Sequence, residues 1–421
     1  MSATLVAIED HAVERVTERP TRMRPVPLVE VDAGPAYPDR LLSIYEPRDA
    51  YGLIDELIHL SERSIERNVF YDPRFLVPAM PRLEDRRVRL LVMRDEREDR
   101  SRLRLLLPYS LERLGGLRKR SVMRVWSHPF GPLGSLPLDG DDPVGTLKSL
   151  VHTLEARSLD LPETLIIPQV RIDGGMIQAV ERCARELGLP IRIVNRYSRA
   201  ALRKAGPPSL SLFDGLSGKR RRELRRGRRW LASFGAVSLE IAREPNAFRL
   251  ALEDFLILEA SGWKGHARSA LTSDRYRAAF AREALNALAE KDRARIFTLR
   301  LDGEAIASIV LLVDGGDAYA WKTAYEERYA KAAPGQLIMA EATRALLADP
   351  TIRRADSCAV PDHFVMNRFW RDRTEIGTIV LGLKPGMEDA VASVARSLTK
   401  SNRTANRIRI VREAILSVFG R

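Results

Sequence analysis

Apolar and polar residues alternate through 294–301, with Phe297, Leu299 and Leu301 on one side, and an almost unbroken apolar run follows at 305–313. Asp302-Gly303 between them is a tight-turn pair, so the two segments read as a hairpin. Asp314-Gly315-Gly316-Asp317 turns the chain into 318–325, a third antiparallel strand with Tyr319, Trp321 and Thr323 on one face. Pro334-Gly335 then opens a helix that Pro350 stops. Residues 354–360 read as a strand reached by a parallel crossover, Pro361 begins a helix carrying Phe364, Arg368 and Phe369, and 374–383 is a last strand. The first half has the same order. Segments 88–93 and 103–107 flank a charged turn, 122–127 is a third strand containing Trp126, and 129–134 (PFGPLG) is a Gly/Pro elbow. Helix 144–156, strand 164–168, helix 176–187 and strand 191–197 follow. The shared order predicts a duplicated mixed α/β fold, on pattern rather than residue identity.

A chain of 421 residues exceeds what one core usually carries. The expected division is a disordered tail at 1–36, a first domain at 37–203, a linker at 204–211 (KAGPPSLS), a second domain at 212–385 and a basic helix at 386–421. The tail lacks the apolar region of a secretory signal, and the longest apolar run, 305–313, is too short to span a bilayer. Two cysteines, Cys183 and Cys358, fit a reduced cytoplasmic protein with no disulfide framework and no metal site. Cys358 is expected on a buried strand as an inert thiol.

The formal net charge of +13 calls for anionic partners. Charge is densest at 217–230, where Lys219, Arg220, Arg221, Arg222, Arg225, Arg226, Arg228 and Arg229 face one acid, Glu223. As a helix this segment keeps a thin apolar stripe of Leu216, Leu224, Leu231 and Phe234, with Gly227 on the same side. The one-signed remainder repels itself unless phosphates or acids neutralise it, so tRNA or another polyanion is a candidate partner.

Gly262-Trp263-Lys264-Gly265, the segment 321–327 (WKTAYEE), Ala333-Pro334-Gly335 and 356–363 (DSCAVPDH) resemble the CelD/BcsL-like branch of the GNAT acyltransferase superfamily, related to the Fem-type transferases. The resemblance spans about 210–383 and departs from the commonest GNAT pattern, because Pro334-Gly335-Gln336 stands where a longer glycine-rich phosphate loop is usual. It implies tandem GNAT-like domains, acetyl-CoA or another acyl-CoA as co-substrate, an amine or hydroxyl acceptor, and a link to exopolysaccharide or cellulose production. The Fem relationship implies aminoacyl-tRNA as the other donor, and a non-catalytic polyanion-binding protein on a GNAT scaffold is the further alternative.

Acyl transfer needs a neutral nucleophile, donors for the oxyanion and a proton for the thiolate. On this footing Lys322, Thr323, Pro334, Gly335, Gln336 and Leu337 are the expected cofactor-binding residues. The dipole of the helix opening at Pro334 faces the diphosphate, and a backbone N–H of Lys322 or Thr323 serves the oxyanion. Tyr325 is the candidate acid, and Asp356 or His363 the candidate base. Trp263, Lys264 and Trp321 are the expected acceptor-side residues.

Overall fold

The computed structural model describes residues 24–83, 87–97, 100–114, 120–155, 159–204, 216–361 and 363–419. The first half comprises β1 (Val29–Asp32), β2 (Arg40–Tyr45), α1 (Ile54–Arg63), α2 (Pro73–Ala79), β3 (Val88–Arg97), β4 (Arg100–Leu114), β5 (Arg120–Val125), α3 (Pro143–Glu155), β6 (Thr164–Arg171), α4 (Gly175–Leu187) and β7 (Ile191–Arg203). The second half comprises α5 (Gly218–Ala232), β8 (Val237–Ala242), α6 (Pro245–Ser261), α7 (Trp263–His266), α8 (Arg275–Ala289), β9 (Ala294–Leu301), β10 (Glu304–Asp314) and β11 (Asp317–Tyr325). It ends with α9 (Pro334–Ala348), β12 (Arg354–Asp356), α10 (Met366–Phe369), β13 (Asp372–Gly382) and α11 (Glu388–Phe419). From β2 and again from β8 the same plan therefore occurs: a strand, helices, three antiparallel strands, then helix, strand, helix, strand.

Among the described residues all strands join one mixed sheet in the order β1-β2-β3-β4-β5-β6-β13-β7-β12-β11-β10-β9-β8. The parallel pairs are β5 with β6 and β11 with β12, one in each half. The halves then exchange their last strands. β13 lies between β6 and β7, and β7 continues to β12. Ile376, Ile379 and Val380 of β13 are fully buried, which explains why this strand sits mid-sheet rather than at an edge.

One face of the sheet carries a core shared by both halves, in which Phe70 and Phe75 join Phe248, Phe255 and Phe280 from α6 and α8. On the other face of the second half, α9 and α5 cover Ile309, Leu311 and Ala318. A third cluster seats Val391, Val394 and Leu398 of α11 on Val122, Ile166 and Val380.

Several expectations change. Within the expected tail, residues 1–23 lie outside the described residues, and Val29–Asp32 pairs with β2 as a strand. The expected linker, apart from Lys204, also lies outside them. The expected strand at 354–360 ends at Asp356. Ser357 donates its amide to Ala200 O at 3.0 Å and Cys358 takes φ 52°, so the chain turns away and Cys358 sits in a loop. Phe234 is 55% exposed beyond the end of α5 and packs edge-on against Trp230 instead of completing the buried stripe.

Candidate functional site

β11 and β12 pair only over Asp317–Tyr319 and Arg354–Asp356. Past Tyr319 the two chains part, and a cavity of about 640 Å³ fills the gap. It brings together Lys264, Trp321, Lys322, Thr323, Tyr325, Pro334, Gly335, Gln336 and His363, which are distant in sequence. Among the described lining residues the charged or titratable side chains are Lys264, Lys322, His363, Tyr325 and Cys358, with no carboxylate.

A register shift between β10 and β11 shapes this wall. Val310 pairs with Lys322 and Leu311 with Ala320, so Trp321 is an extra residue, a β-bulge. The bulge sends Trp321 and Lys322 towards the same face. Trp321 is 8% exposed and donates Nε1–H to the Phe130 carbonyl at 2.7 Å, while Lys322 Nζ lies 5.3 Å from the centre of the Phe130 ring. Pro129 and Phe130 of the first half's elbow thus line the second half's cavity. In the first half hydrogen bonds bridge the corresponding gap. Asn68 holds the carbonyls of Leu133 and Ser135, and Gly134 donates to Gln169 O at 2.9 Å.

Beyond the bulge regular alternation resumes. Glu326 donates its amide to Ile306 O on β10 at 2.9 Å, so Thr323 and Tyr325 turn their peptide groups away from β10 and into the gap. The Thr323 carbonyl accepts from Lys264 Nζ at 2.8 Å, in agreement. Of the two expected oxyanion donors, the Thr323 N–H points into the cavity and that of Lys322 points to β10.

Sequence reasoning missed Glu259. Its side chain is 0% exposed and accepts from Lys322 Nζ at 2.7 Å, Lys264 Nζ at 3.3 Å and the Leu271 amide at 2.9 Å. Burial pushes its pKa up, but Lys322, Lys264 and the Leu271 amide outweigh this and hold the carboxyl below its ordinary value. Burial, then the Lys322 charge, lowers the pKa of Lys264 against the pull of Glu259. Glu259 follows Leu252, Phe255 and Leu256 at helical spacing on the apolar face of α6. A carboxylate in that stripe was the available signal.

The elbow offers less to an anion than expected. Ala333 caps α9 at φ 53°, and its carbonyl accepts the amides of Gln336 at 2.8 Å and Leu337 at 3.2 Å. Pro334 has no N–H, which leaves the Gly335 amide, without a helical carbonyl in reach, aimed outward. Leu337 is buried in the core and does not line the cavity, correcting its expected role. Gln336 Oε1 accepts from Arg220 Nη1 at 2.9 Å, so the arginine helix α5 begins beside the elbow. Gly227 permits this. A Cβ there would lie 2.5 Å from Ala332 O. Lys219, Arg222, Arg225, Arg226, Arg228 and Arg229 are exposed, whereas Arg220 and Arg221 are half-buried.

Asp356 is absent from the cavity lining. Its carboxylate faces buried Arg199, with Nε–Oδ1 2.7 Å and Nη2–Oδ2 2.8 Å, and accepts the Cys358 amide at 2.9 Å. It ties β12 to β7. His363 stands at the exposed rim. Its Nδ1 accepts the Met366 amide at 3.3 Å, so in neutral form it presents Nε2–H, a donor rather than a base. Desolvation of the ring lowers its pKa. Trp263 lies on α7, next to Lys264; its side chain is outside the described part. Cys358 lines the cavity, and burial followed by the Asp356 charge raises its pKa, which keeps it a thiol.

Residues 218–364 match the family model of the acetyltransferase (GNAT) domain. Among solved structures, the C-terminal domain (DUF2156) of a putative lysylphosphatidylglycerol synthetase from Agrobacterium fabrum is 13% identical, with 83% of this chain and 96% of that chain covered and a TM-score of 0.50. FemX is 11% identical, with 77% and 95% covered and a TM-score of 0.50. At these identities the likeness concerns the fold. A search of curated proteins returns no match. Among the described residues no helix is long and apolar enough to cross a membrane.

Proposed function

We propose that the chain is an N- or O-acyltransferase that takes the acyl group from an acyl-CoA, acetyl-CoA first, and delivers it to an amine or hydroxyl in the cavity between β11 and β12. The observation that carries this reading is the parted strand pair. Its gap receives the Thr323 N–H and opens onto the positive end of α9 at Gly335.

The donor's diphosphate would lie against the Gly335 amide, with Arg220 beside it, and its thioester carbonyl would accept from the Thr323 N–H. Attack by a neutral acceptor nitrogen or oxygen forms the new bond to the acyl carbon. The C–S bond breaks and the Tyr325 hydroxyl protonates the departing thiolate. The acceptor's proton passes to water. Lys264 and Trp321 line the acceptor's side, reached from α6 and α7. Two unlinked cysteines, Cys183 buried and Cys358 half-buried, are consistent with the cytoplasm. The CelD/BcsL-like resemblance supports an acceptor connected with exopolysaccharide or cellulose production.

Thermal-shift titration with acetyl-CoA, longer acyl-CoAs and free CoA, followed by thiol release with amine acceptors, tests the reading. Stabilisation by acyl-CoA that Gly335→Glu abolishes is the expected result. A second reading, an aminoacyl-tRNA-dependent transferase of Fem type, is favoured by the contact of Arg220 with Gln336, which sets a cationic helix at the donor entrance. Stabilisation by charged tRNA but not by acyl-CoA would select it.

A further inference from the structure

The buried charges behind the cavity do not balance. Lys264 and Lys322 share one carboxylate, Glu259, which leaves one surplus positive charge. Both ammonium groups are mostly removed from water, with side-chain exposures of 22% and 14%, and both line the cavity. Lys322 also lies against the faces of Phe130 and Trp321, at 5.3 and 5.9 Å from the ring centres. A partly desolvated surplus cation is costly unless an anion meets it, and among the described residues no lining side chain supplies one. Lys264 spends donors on Glu259 and the Thr323 carbonyl and Lys322 one on Glu259, so each ammonium, with three N–H groups, keeps donors for a ligand.

The two lysines also lie apart from the donor's entrance. They converge on Glu259 of α6 on one face of the sheet, whereas Gly335 and Gln336 open α9 on the other. The surplus charge therefore belongs to the acceptor's end rather than to the donor's diphosphate.

We propose that the acceptor carries a carboxylate, which docks on Lys264 and Lys322 while its amine or hydroxyl faces the thioester. A carboxylate matches the single surplus charge, and a dianionic phosphate overshoots it. Aromatic walls from Trp321 and Phe130 hold the rest of a small molecule. This rests on the acyltransferase reading for the word acceptor, but the anion site can be tested without any donor.

The probe is N-acetylglycine, which joins a transferred acetyl group to a carboxylate. Its amide is the neutral control, and inorganic phosphate tests the alternative anion. Binding to the full chain is followed by Trp fluorescence, to which Trp321 contributes, and by calorimetry. N-acetylglycine is expected to bind saturably, at least tenfold more tightly than its amide or phosphate. Lys322→Met and Lys264→Met are each expected to weaken it tenfold or more, and Lys322→Arg to retain most of it. Glu259→Gln is the decisive variant. It raises the surplus by one charge and is expected to tighten the anion severalfold, whereas loss of binding in a still-folded Glu259→Gln would mean that the cluster is only structural and would overturn the proposal. So would equal affinity for acid and amide, no saturable binding to wild type, or tighter binding of phosphate. Acetyl-CoA stabilisation, measured in parallel, separates the two readings: its absence with anion binding intact sinks the acyl-CoA donor and leaves the carboxylate site standing.

Discussion

The indole N–H of Trp321 donates to the main-chain carbonyl of Phe130 at 2.7 Å, and through this bond the first half of the chain supplies a wall of the second half's cavity. Trp321→Phe keeps an aromatic side chain, though a smaller one, and removes the donor, leaving a partly buried carbonyl unpaired. The expected loss is about 1–3 kcal/mol of stability, read from urea unfolding. Acyl-CoA affinity is expected to hold while the acceptor KM rises. Unchanged stability and KM would mean that the halves meet here without consequence.

A Cβ at Gly335 would stand 3.2 Å from the Tyr325 ring. Gly335→Ala should therefore shift the candidate acid and lower kcat with a modest change in acyl-CoA affinity. Gly335→Glu should abolish acyl-CoA stabilisation by adding a charge beside the diphosphate. A full ligand shift in folded Gly335→Glu would remove the elbow from the donor site.

Lys264→Ala is expected to raise the acceptor KM and leave acyl-CoA affinity nearly intact. The pH dependence follows from the lowered pKa of Lys264 in the empty site. A bound anion favours the ammonium and raises that pKa, so binding takes up protons once the pH exceeds the empty-site value. Carboxylate affinity should therefore be highest below that value and fall as pH rises towards the ordinary lysine range. Affinity that climbs over this window would place Lys264 elsewhere.

Asp356 and Arg199 form a buried two-point pair between the halves. Asp356→Asn strands a fully buried guanidinium and should cost about 3–5 kcal/mol. Turnover per folded molecule, measured below the melting transition, should stay within a few-fold of wild type. A loss of kcat by several orders with stability intact would restore Asp356 as a base.

Replacing Arg221, Arg225 and Arg228 by Gln tests the arginine helix. Arg225 and Arg228 are exposed and Arg221 is half-buried, and surface charges contribute at most about 1 kcal/mol each to stability, so folding should change little. If the helix holds phosphates, tRNA binding weakens and its salt dependence flattens by roughly one unit of slope per lost contact. Identical slopes for both proteins would return the helix to solvent.

Local pattern was enough for the element order from β3 to β7 and from β9 to β13, because turn pairs such as Asp302-Gly303 and Asp314-Gly315-Gly316-Asp317 and the alternation between them act over a few residues. The same holds for α5, whose stripe of Leu224, Gly227 and Leu231 is buried as its spacing requires. Part of the cavity wall was legible too, since the motifs around Lys264, Trp321, Tyr325 and Gly335 meet in the gap. What local pattern could not carry was pairing between distant segments. The exchange of β7 and β13 depends on which long-range ladder buries more, and the bulge at Trp321 depends on register with β10. Asp356 read as a strand-end carboxylate free to work until Arg199, 157 residues away, claimed it. Glu259 carries no local mark of its role, which comes only when folding places two lysines on it, since a charge acquires its role from what shares its burial, and burial is a property of the assembled chain.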